Sequence, residues 1–429
     1  MKAIVLAAGR SSRFWPLAQE GHKSAYCVAY GKPVIQYTLD SLVSMGIKEV
    51  AVVRAPVDPP LAKCLMNYQA QNGLKIYSCY QAEARGMGEA ILAAEEFLGD
   101  LRDDQHFLVL NASQINIKEI MIELYHEPYS DNLPRLGKTL FLFGQKTERP
   151  ENFGVMRVGD DGKVLEVREK PRSFISPIRV VGVYLLNKAF LRELMNRSGE
   201  YSLEETLQFM VGRGKDLRAV VLLPEMPLFS LKYPWDLLAF NRFLMGKNMP
   251  TVNIISTPQW IRKGVQLVGN GIVIRTGATI YENAIVKGPC FIDEGAVIGD
   301  HATVRECSYV GKYVVVGSHS EVRNSILYDG VRLHRNFVGD SILDEGCSLG
   351  AGTITANKRI DRKNVKTRVD GKRIDSGLRR LGVVMGSRVK VGINRSLMPG
   401  VMVGRGTEII PREVVDQSYV DKLNVKDAE

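Results

Sequence analysis

The chain has 429 residues, 45% of them apolar and 24% charged, with six cysteines and a formal charge of +10. That length supports two or three domains with real cores, and no apolar run approaches the roughly 18 residues of a membrane-spanning helix. The opening apolar run meets polar Arg10, Ser11 and Ser12 too soon for a signal peptide, and the scattered cysteines form no CxxC pair, which disfavours zinc knuckles and disulfide frameworks and points to reduced cytoplasm.

MKAIVLAAG reads as a β-strand running into glycine, and GRSSRFWPL as a polar loop. A helix is expected from about Pro33 to Gly46. Further strands are expected at Glu49–Val53, Phe107–Leu110, Leu140–Gly144, Arg179–Leu186 and Leu217–Leu223. Helices alternate with them at Gly88–Phe97, Ala189–Arg197 and Leu203–Gly212. Such alternation implies a mostly parallel sheet with helices on both faces, and ligands then bind at the carboxyl ends of the strands. A linker is expected at 248–262.

From Ile274 onward the sequence has period six. Ile280, Val286, Ile292, Ile298, Val304, Val310, Val316 and Val322 follow in steps, and the run recurs at Met385, Val391, Leu397, Val403 and Ile409. Neither a helix nor an alternating strand has that period. A triangular coil does: each side is a short strand with one apolar side chain turned inward, and coils contact only their neighbours. The period falters between Ser325 and Asn357 and stops between Lys358 and Leu381. Loops leave a solenoid at such breaks, and loops carry function.

The segment 357–380 holds ten Lys or Arg against three acids. It reads either as a solvated loop or as a clamp for phosphate-bearing ligands. It has no aromatics for base stacking, so nucleic acid is disfavoured.

A glycine-bearing loop after the first strand is by itself a weak phosphate-cradling signal. LAAGRSSRFWPL, GHKSAY and GKPVIQY together resemble the signature of sugar-1-phosphate nucleotidyltransferases, LAAG-x-G-x-R…P-K…GKP. QAEARGMGEAI resembles that family's base-reading segment. ENFGVMRVGDDGKVLEVREKP resembles its sugar-binding strand pair, and PWDLLAFNRFL its closing helix. In the second half, HRNFVGDSILDEGCSLGAGTITAN resembles the acetyltransferase domain of bifunctional GlmU-type enzymes, and NKRIDRKNVKTRVDGKRIDSGLRRLG their archaeal branch.

The resemblance implies a Rossmann-like nucleotidyltransferase α/β domain at 1–247, the linker, and a left-handed parallel β-helix acetyltransferase domain at 263–429. It makes His334 the general base, a role that suits imidazole near neutrality. Asn357, Lys363 and Lys366 would bind an amino-sugar 1-phosphate, and Ala351 and Ser387 acetyl-CoA. Phe337 and Ser348 stand where the family has tyrosine and asparagine. In the first domain, Gly9, Arg13, Lys23, Gln81, Gly86, Gly154 and Lys170 match nucleotide- and sugar-phosphate-binding positions. The metal-binding carboxylates do not match. The family's LNGD reads LNAS, with Ala112 and Ser113, and the second carboxylate position is Ser230. Serine hydroxyls are poor ligands for a hard cation. Ser11, Met87 and Val180 depart as well.

The resulting expectation is a cytoplasmic homotrimer. It transfers acetyl from acetyl-CoA to glucosamine or galactosamine 1-phosphate, in the route to UDP-N-acetylhexosamine. Its nucleotidyltransferase site is impaired, so Mg²⁺ and UTP or UDP-sugar matter only if that site still works, and no membrane or nucleic acid is involved. The alternatives are a fully bifunctional enzyme and a non-catalytic regulatory subunit or sugar-nucleotide sensor.

Overall fold

The computed structural model describes residues 1–18, 21–126, 138–369, 371–411 and 414–415. The chain divides into two compact units. The first comprises Met1–Arg10, Glu20–Ala25 and Pro33–Ser230, and the second Ser11–Gln19, Tyr26–Lys32 and Leu231–Glu429.

In chain order the first unit contains β1 (Lys2–Ala7), α1 (Val34–Ser44), β2 (Glu49–Arg54), α2 (Pro59–Asn72), β3 (Lys75–Tyr80), α3 (Met87–Leu92), β4 (His106–Asn111) and α4 (Ile117–His126). It continues with β5 (Leu140–Lys146), β6 (Gly154–Val158), β7 (Val164–Glu169), β8 (Ile178–Asn187), α5 (Lys188–Leu194), α6 (Ser202–Gly212) and β9 (Leu217–Leu222). The strand order is β9-β5-β8-β4-β1-β2-β3, with the β6–β7 hairpin attached through β8. β1 is parallel to β2 and β4, whereas β8 runs antiparallel to both β4 and β5.

Alternation along β1 shows why the sheet is covered twice. Ala3, Val5 and Ala7 pack with Ile35, Leu39, Leu61 and Ile117 on one face. Ile4 and Ala8 pack with Ile91, Phe190, Leu203 and Leu207 on the other. A strand buried on both faces reads as a near-continuous apolar run, as Ala3–Ala7, Val50–Val53 and Phe107–Leu110 do. Two loops are pinned by polar groups. Asp58 caps α2 through Leu61 N–H (3.1 Å) and also accepts the His22 N–H (3.0 Å). His22 is buried and shares a 2.8 Å hydrogen bond with Ser24. Burial and the neighbouring Lys23 push its pKa down to about 3, so it is neutral.

The second unit is a left-handed parallel β-helix with three sheets of short strands. One starts at Ile254–Ile255, one at Gln266–Val268 and one at Thr279–Ile280, and every rung pairs in parallel with the next. The first rung therefore lies inside the stretch read from sequence as linker. All nine residues of the first period-six run are fully buried in one column. The column continues without a gap through Leu327, Leu333, Val338, Leu343, Leu349, Met385 and Val391. The period falters on paper because corners shorten by one residue, not because the helix stops. Thr355 then takes an inward place with no exposed surface, and its Oγ1 accepts from Gly339 N–H (3.1 Å). The long break is one insertion. It carries the antiparallel hairpin Lys366–Val369/Lys372–Asp375, and Thr367 Oγ1 ties it to Gly400 O (2.6 Å).

Corners of a triangular coil force the left-handed backbone region. Asn283, His301, His319, Arg335, Gly352 and Asn394 all take it, with φ between 53° and 74°. One outer face is covered by the unit's own α7 (Asp236–Lys247) and its N-terminal segments. Phe291 stacks on Tyr309 (5.5 Å), and Tyr30 meets Phe291 edge-on (6.1 Å). Tyr26 meets Tyr328 (5.4 Å), whose hydroxyl donates to Cys27 O (2.9 Å). Buried Asn241 accepts from Ala29 N–H and donates to Cys307 O, each at 2.7 Å. So the stretch after the first strand is partly β-helix lining.

The inward column carries the β-helix, and a cavity in it propagates to both neighbouring coils. Ile298→Ala should cost about 3 kcal/mol of unfolding free energy in denaturant titration. Truncating exposed Tyr313 should cost under about 0.5 kcal/mol.

Candidate active sites

A cavity of about 230 Å³ opens in the first unit at the carboxyl end of β4. Asn111, Ser113 and Gln114 line it from β4 and the turn that follows. Met87 lines it from α3, Gly154 and Glu169 from the β6–β7 hairpin, Glu204 and Leu207 from α6, and Ser230 from the last loop. β8 crosses it with Arg179, Val180, Val181, Gly182 and Tyr184. The β8–β5 register breaks between Val180 and Tyr184. Gly182 has φ +73°, and a Cβ there would lie 2.6 Å from Asn111 Nδ2, so only glycine fits.

The cavity gathers four residues that depart from the nucleotidyltransferase signature: Met87, Ser113, Val180 and Ser230. Ser11 lies elsewhere, in the second unit, in a left-handed conformation (φ 49°). Ala112 is buried, and its carbonyl accepts from Thr38 (2.9 Å).

The donor set does not fit a divalent cation. Asn111, Ser113, Gln114 and Ser230 offer neutral oxygens only. Glu169 is already paired with Lys170 (3.2 Å). Glu204 is 8% exposed, and burial raises its pKa to about 7. Arg179 adds a positive charge in the same cavity. Among the described residues no group of three or more His, Cys, Asp or Glu is placed to hold a metal ion.

Of the other predicted residues, Gly154 lines the cavity, and a Cβ there would lie 2.5 Å from Glu169 Oε2. Gly86 (φ +108°) tolerates no side chain, since a Cβ would collide with Glu200 O. Gln81 is buried and donates to Gly86 O (3.1 Å), closing the loop expected to read a base. Lys170 is exposed with φ +42°, and its N–H donates to Phe153 O (3.0 Å). Gly9 is exposed with open space around it, and Lys23 is half-buried in a short turn. Arg13 is exposed and belongs to the second unit.

In the β-helix an open groove of about 590 Å³ runs along one corner, lined by His319, Glu321, Arg335, Asn336, Phe337, Ala351, Gly352, Ile354, Ile393 and Asn394. Ala351 and Phe337 both line it. His334, Asn357, Lys363, Lys366 and Ser387 lie outside its lining. His334 is exposed at the end of strand Arg332–Leu333, and its N–H donates to the Asn336 side chain. Asn336 is 3% exposed and donates in turn to Gly350 O (2.8 Å) and Thr353 O (3.0 Å). The histidine corner is therefore riveted to the next coil. Asn357 donates to Asp340 (2.6 Å), whose other oxygen accepts from Asn324 (2.5 Å), a polar ladder one residue deep per coil.

Lys363 and Lys366 are exposed on the basic insertion, while Arg359 is held by Asp361. Lys358 has a lowered pKa, from desolvation first and then from Arg362, Arg380 and Arg379. Lys358 therefore stands near these three arginines. Ser348 is half-buried in the strand Ser348–Leu349, and Ser387 O accepts from Gly406 N–H (2.8 Å). Sequence reasoning missed His319 and Arg335. Their signal was the corner itself, one residue per coil at positions 301, 319 and 335. It also missed Arg179, a charge near the start of the otherwise apolar run IRVVGVYLL, and Glu204, one of two adjacent glutamates in SLEETLQFM.

The model of the nucleotidyl transferase family matches residues 2–224. The "Bifunctional protein GlmU" of Methanococcus maripaludis strain S2 is 31% identical over 98% of this chain and 97% of its own length. The chain belongs to the bifunctional GlmU family. A second GlmU, from Methanocaldococcus jannaschii, is 31% identical over 98% of both chains. A bifunctional sugar-1-phosphate nucleotidylyltransferase/acetyltransferase of Sulfurisphaera tokodaii is 28% identical over 97% of this chain and 98% of its own. Membership of the GlmU family makes this chain a transferase, with a nucleotidyltransferase-type domain preceding the β-helix.

Glu204 yields a test of the cavity's electrostatics. Its folded pKa is raised, so the buried carboxylate destabilises the fold fully above about pH 7 and not at all below about pH 4.5. Glu204→Gln should stabilise the protein by up to about 3 kcal/mol at pH 8. The gain should vanish near pH 4.5 in parallel thermal unfolding scans.

Proposed function

We propose that this chain transfers acetyl from acetyl-CoA to the nitrogen of an amino-sugar 1-phosphate, glucosamine or galactosamine 1-phosphate, at its β-helix. Its N-terminal unit binds sugar without forming sugar nucleotide. One observation carries the reading: the four departures Met87, Ser113, Val180 and Ser230 line a single cavity and leave it without metal-binding carboxylates. The coils around His334 keep their hydrogen-bonded scaffold through Asn336 and Asp340.

In the reaction the amino nitrogen attacks the thioester carbonyl. His334 takes a proton from that nitrogen, the carbon–sulfur bond breaks, and the proton ends on the departing thiolate. Lys363 and Lys366 hold the sugar phosphate, Asn357 contacts the substrates, and Ala351 and Ser387 face acetyl-CoA. Phe337 supplies no hydroxyl, so the oxyanion donor is a backbone or amide N–H. His334 and the lysines lie outside the groove that Ala351 lines. We therefore assign the complete site to the cleft between neighbouring copies in a homotrimer. Exposed Ile354 and Ile393 beside the groove suit such a contact.

Coenzyme A release should occur with glucosamine 1-phosphate or galactosamine 1-phosphate without added metal. His334→Ala should slow it by about 10²-fold or more, the usual contribution of a general base. No release with either sugar, or an unaffected variant, would remove the proposal.

A further inference from the structure

The His334 imidazole has no hydrogen-bond partner among the described residues. A general base is usually oriented by a third group on its far ring nitrogen. Here that task falls on the backbone. From the preceding coil, Gly317 N–H donates to Leu333 O (2.9 Å), and a Cβ at Gly317 would collide with that oxygen. At the corner, Arg335 takes the left-handed region (φ 53°). Beyond the corner, the Asn336 side chain reaches back to accept the His334 N–H.

Asn336 is buried, and its amide is spent on three backbone groups. The carbonyl takes the His334 N–H, and the two amide hydrogens go to Gly350 O (2.8 Å) and Thr353 O (3.0 Å). Its own backbone is fixed as well: the N–H donates to Ser320 Oγ (3.1 Å), and the oxygen accepts from Glu321 N–H (2.8 Å). Gly350 and Thr353 are the ends of the turn that carries Ala351. That turn is anchored on its far side, where Thr353 Oγ1 donates to Gly392 O and Asn394 N–H donates to Ala351 O, each at 2.8 Å. One side chain therefore joins the corner carrying the base to the turn carrying the acetyl-CoA contact. Apolar side chains join the coils elsewhere, so stacking alone does not call for an amide here. A buried amide is retained where one acceptor and two donors are all needed.

We propose that Asn336 is a positioning residue for acetyl transfer: it fixes the spacing between the His334 corner and the 350–353 turn, and so the distance from base to thioester. The inference rests on the proposed acetyl transfer and adds to it a residue whose amide is wholly engaged by the protein. An error of about 1 Å in such a spacing can cost about 10²-fold in rate. The sugar phosphate is assigned to Lys363 and Lys366 on the insertion, to which none of these bonds runs. Loss of the amide therefore acts on the base and on acetyl-CoA and spares the grip on the sugar.

The test is steady-state coenzyme A release by the full chain, with acetyl-CoA and the amino-sugar 1-phosphate varied in turn. Asn336→Ala should lower kcat by about ten-fold or more and raise KM for acetyl-CoA, with KM for the sugar phosphate unchanged. A variant that merely folds less well would lose kcat and keep both KM values. Asn336→Ser, which leaves a hydroxyl to accept the His334 N–H, should recover part of kcat, and it carries the same test if Asn336→Ala does not fold. In a His334→Ala background the same Asn336 substitution should lower kcat by less than about three-fold, because no base remains to be placed. Equal kcat losses in the two backgrounds, an unchanged KM for acetyl-CoA, or wild-type kinetics in Asn336→Ala would overturn the inference and leave the acetyl transfer standing. A wild type that releases no coenzyme A with either sugar would remove the acetyl transfer, and this role with it.

Discussion

Stacking governs the second unit. Each coil turns three side chains inward, and each lies directly above its counterpart in the next coil. An apolar column is self-consistent under that rule, and a polar residue is not unless the adjacent coil answers it. Thr355, Asn336 and Asp340 obey the rule: each is buried, and each is bonded to a group one coil away. The polar rungs cluster on the coils that carry the HRNFVGD and GAGTITAN motifs. The hairpin insertion leaves the helix at the same level and brings its cations with it.

The first unit obeys a different constraint. Its sheet is buried on both faces, so chemistry is confined to the strand ends and to the bulge in β8. A divalent cation there would need oxygen ligands carrying charge. The cavity instead holds hydroxyls, amides, an engaged carboxylate, a carboxyl raised by burial and a fixed guanidinium. Electrostatically the cavity offers neutral oxygens beside a cation of its own, Arg179.

Much of this was legible in the sequence. Period six located the inward column residue by residue, and alternation located β1, β2 and β4. The apparent faltering after Ser325 was misleading, because a corner can lose one residue while the inward positions stay in register. The edge strand β3 was missed because KIYSCY carries no apolar run, and α2 because it opens on paired prolines. The signature departures were visible in the sequence, and the motif match implied that all five share one pocket. The fold places Met87, Ser113, Val180 and Ser230 around one cavity and leaves Ser11 out of its lining. Arg179 was invisible because nothing local separates a strand-end arginine in solvent from one held over an aromatic ring. The residues assigned to the β-helix site were read from motif alone, and of them Ala351 lines the groove.

The account stands most directly on the product formed in one vessel containing the wild-type protein, acetyl-CoA, glucosamine 1-phosphate, UTP and Mg²⁺, resolved by mass spectrometry. N-acetylglucosamine 1-phosphate should accumulate with no UDP-N-acetylglucosamine. Appearance of the UDP-sugar, or recovery of the amino sugar unacetylated, would contradict it.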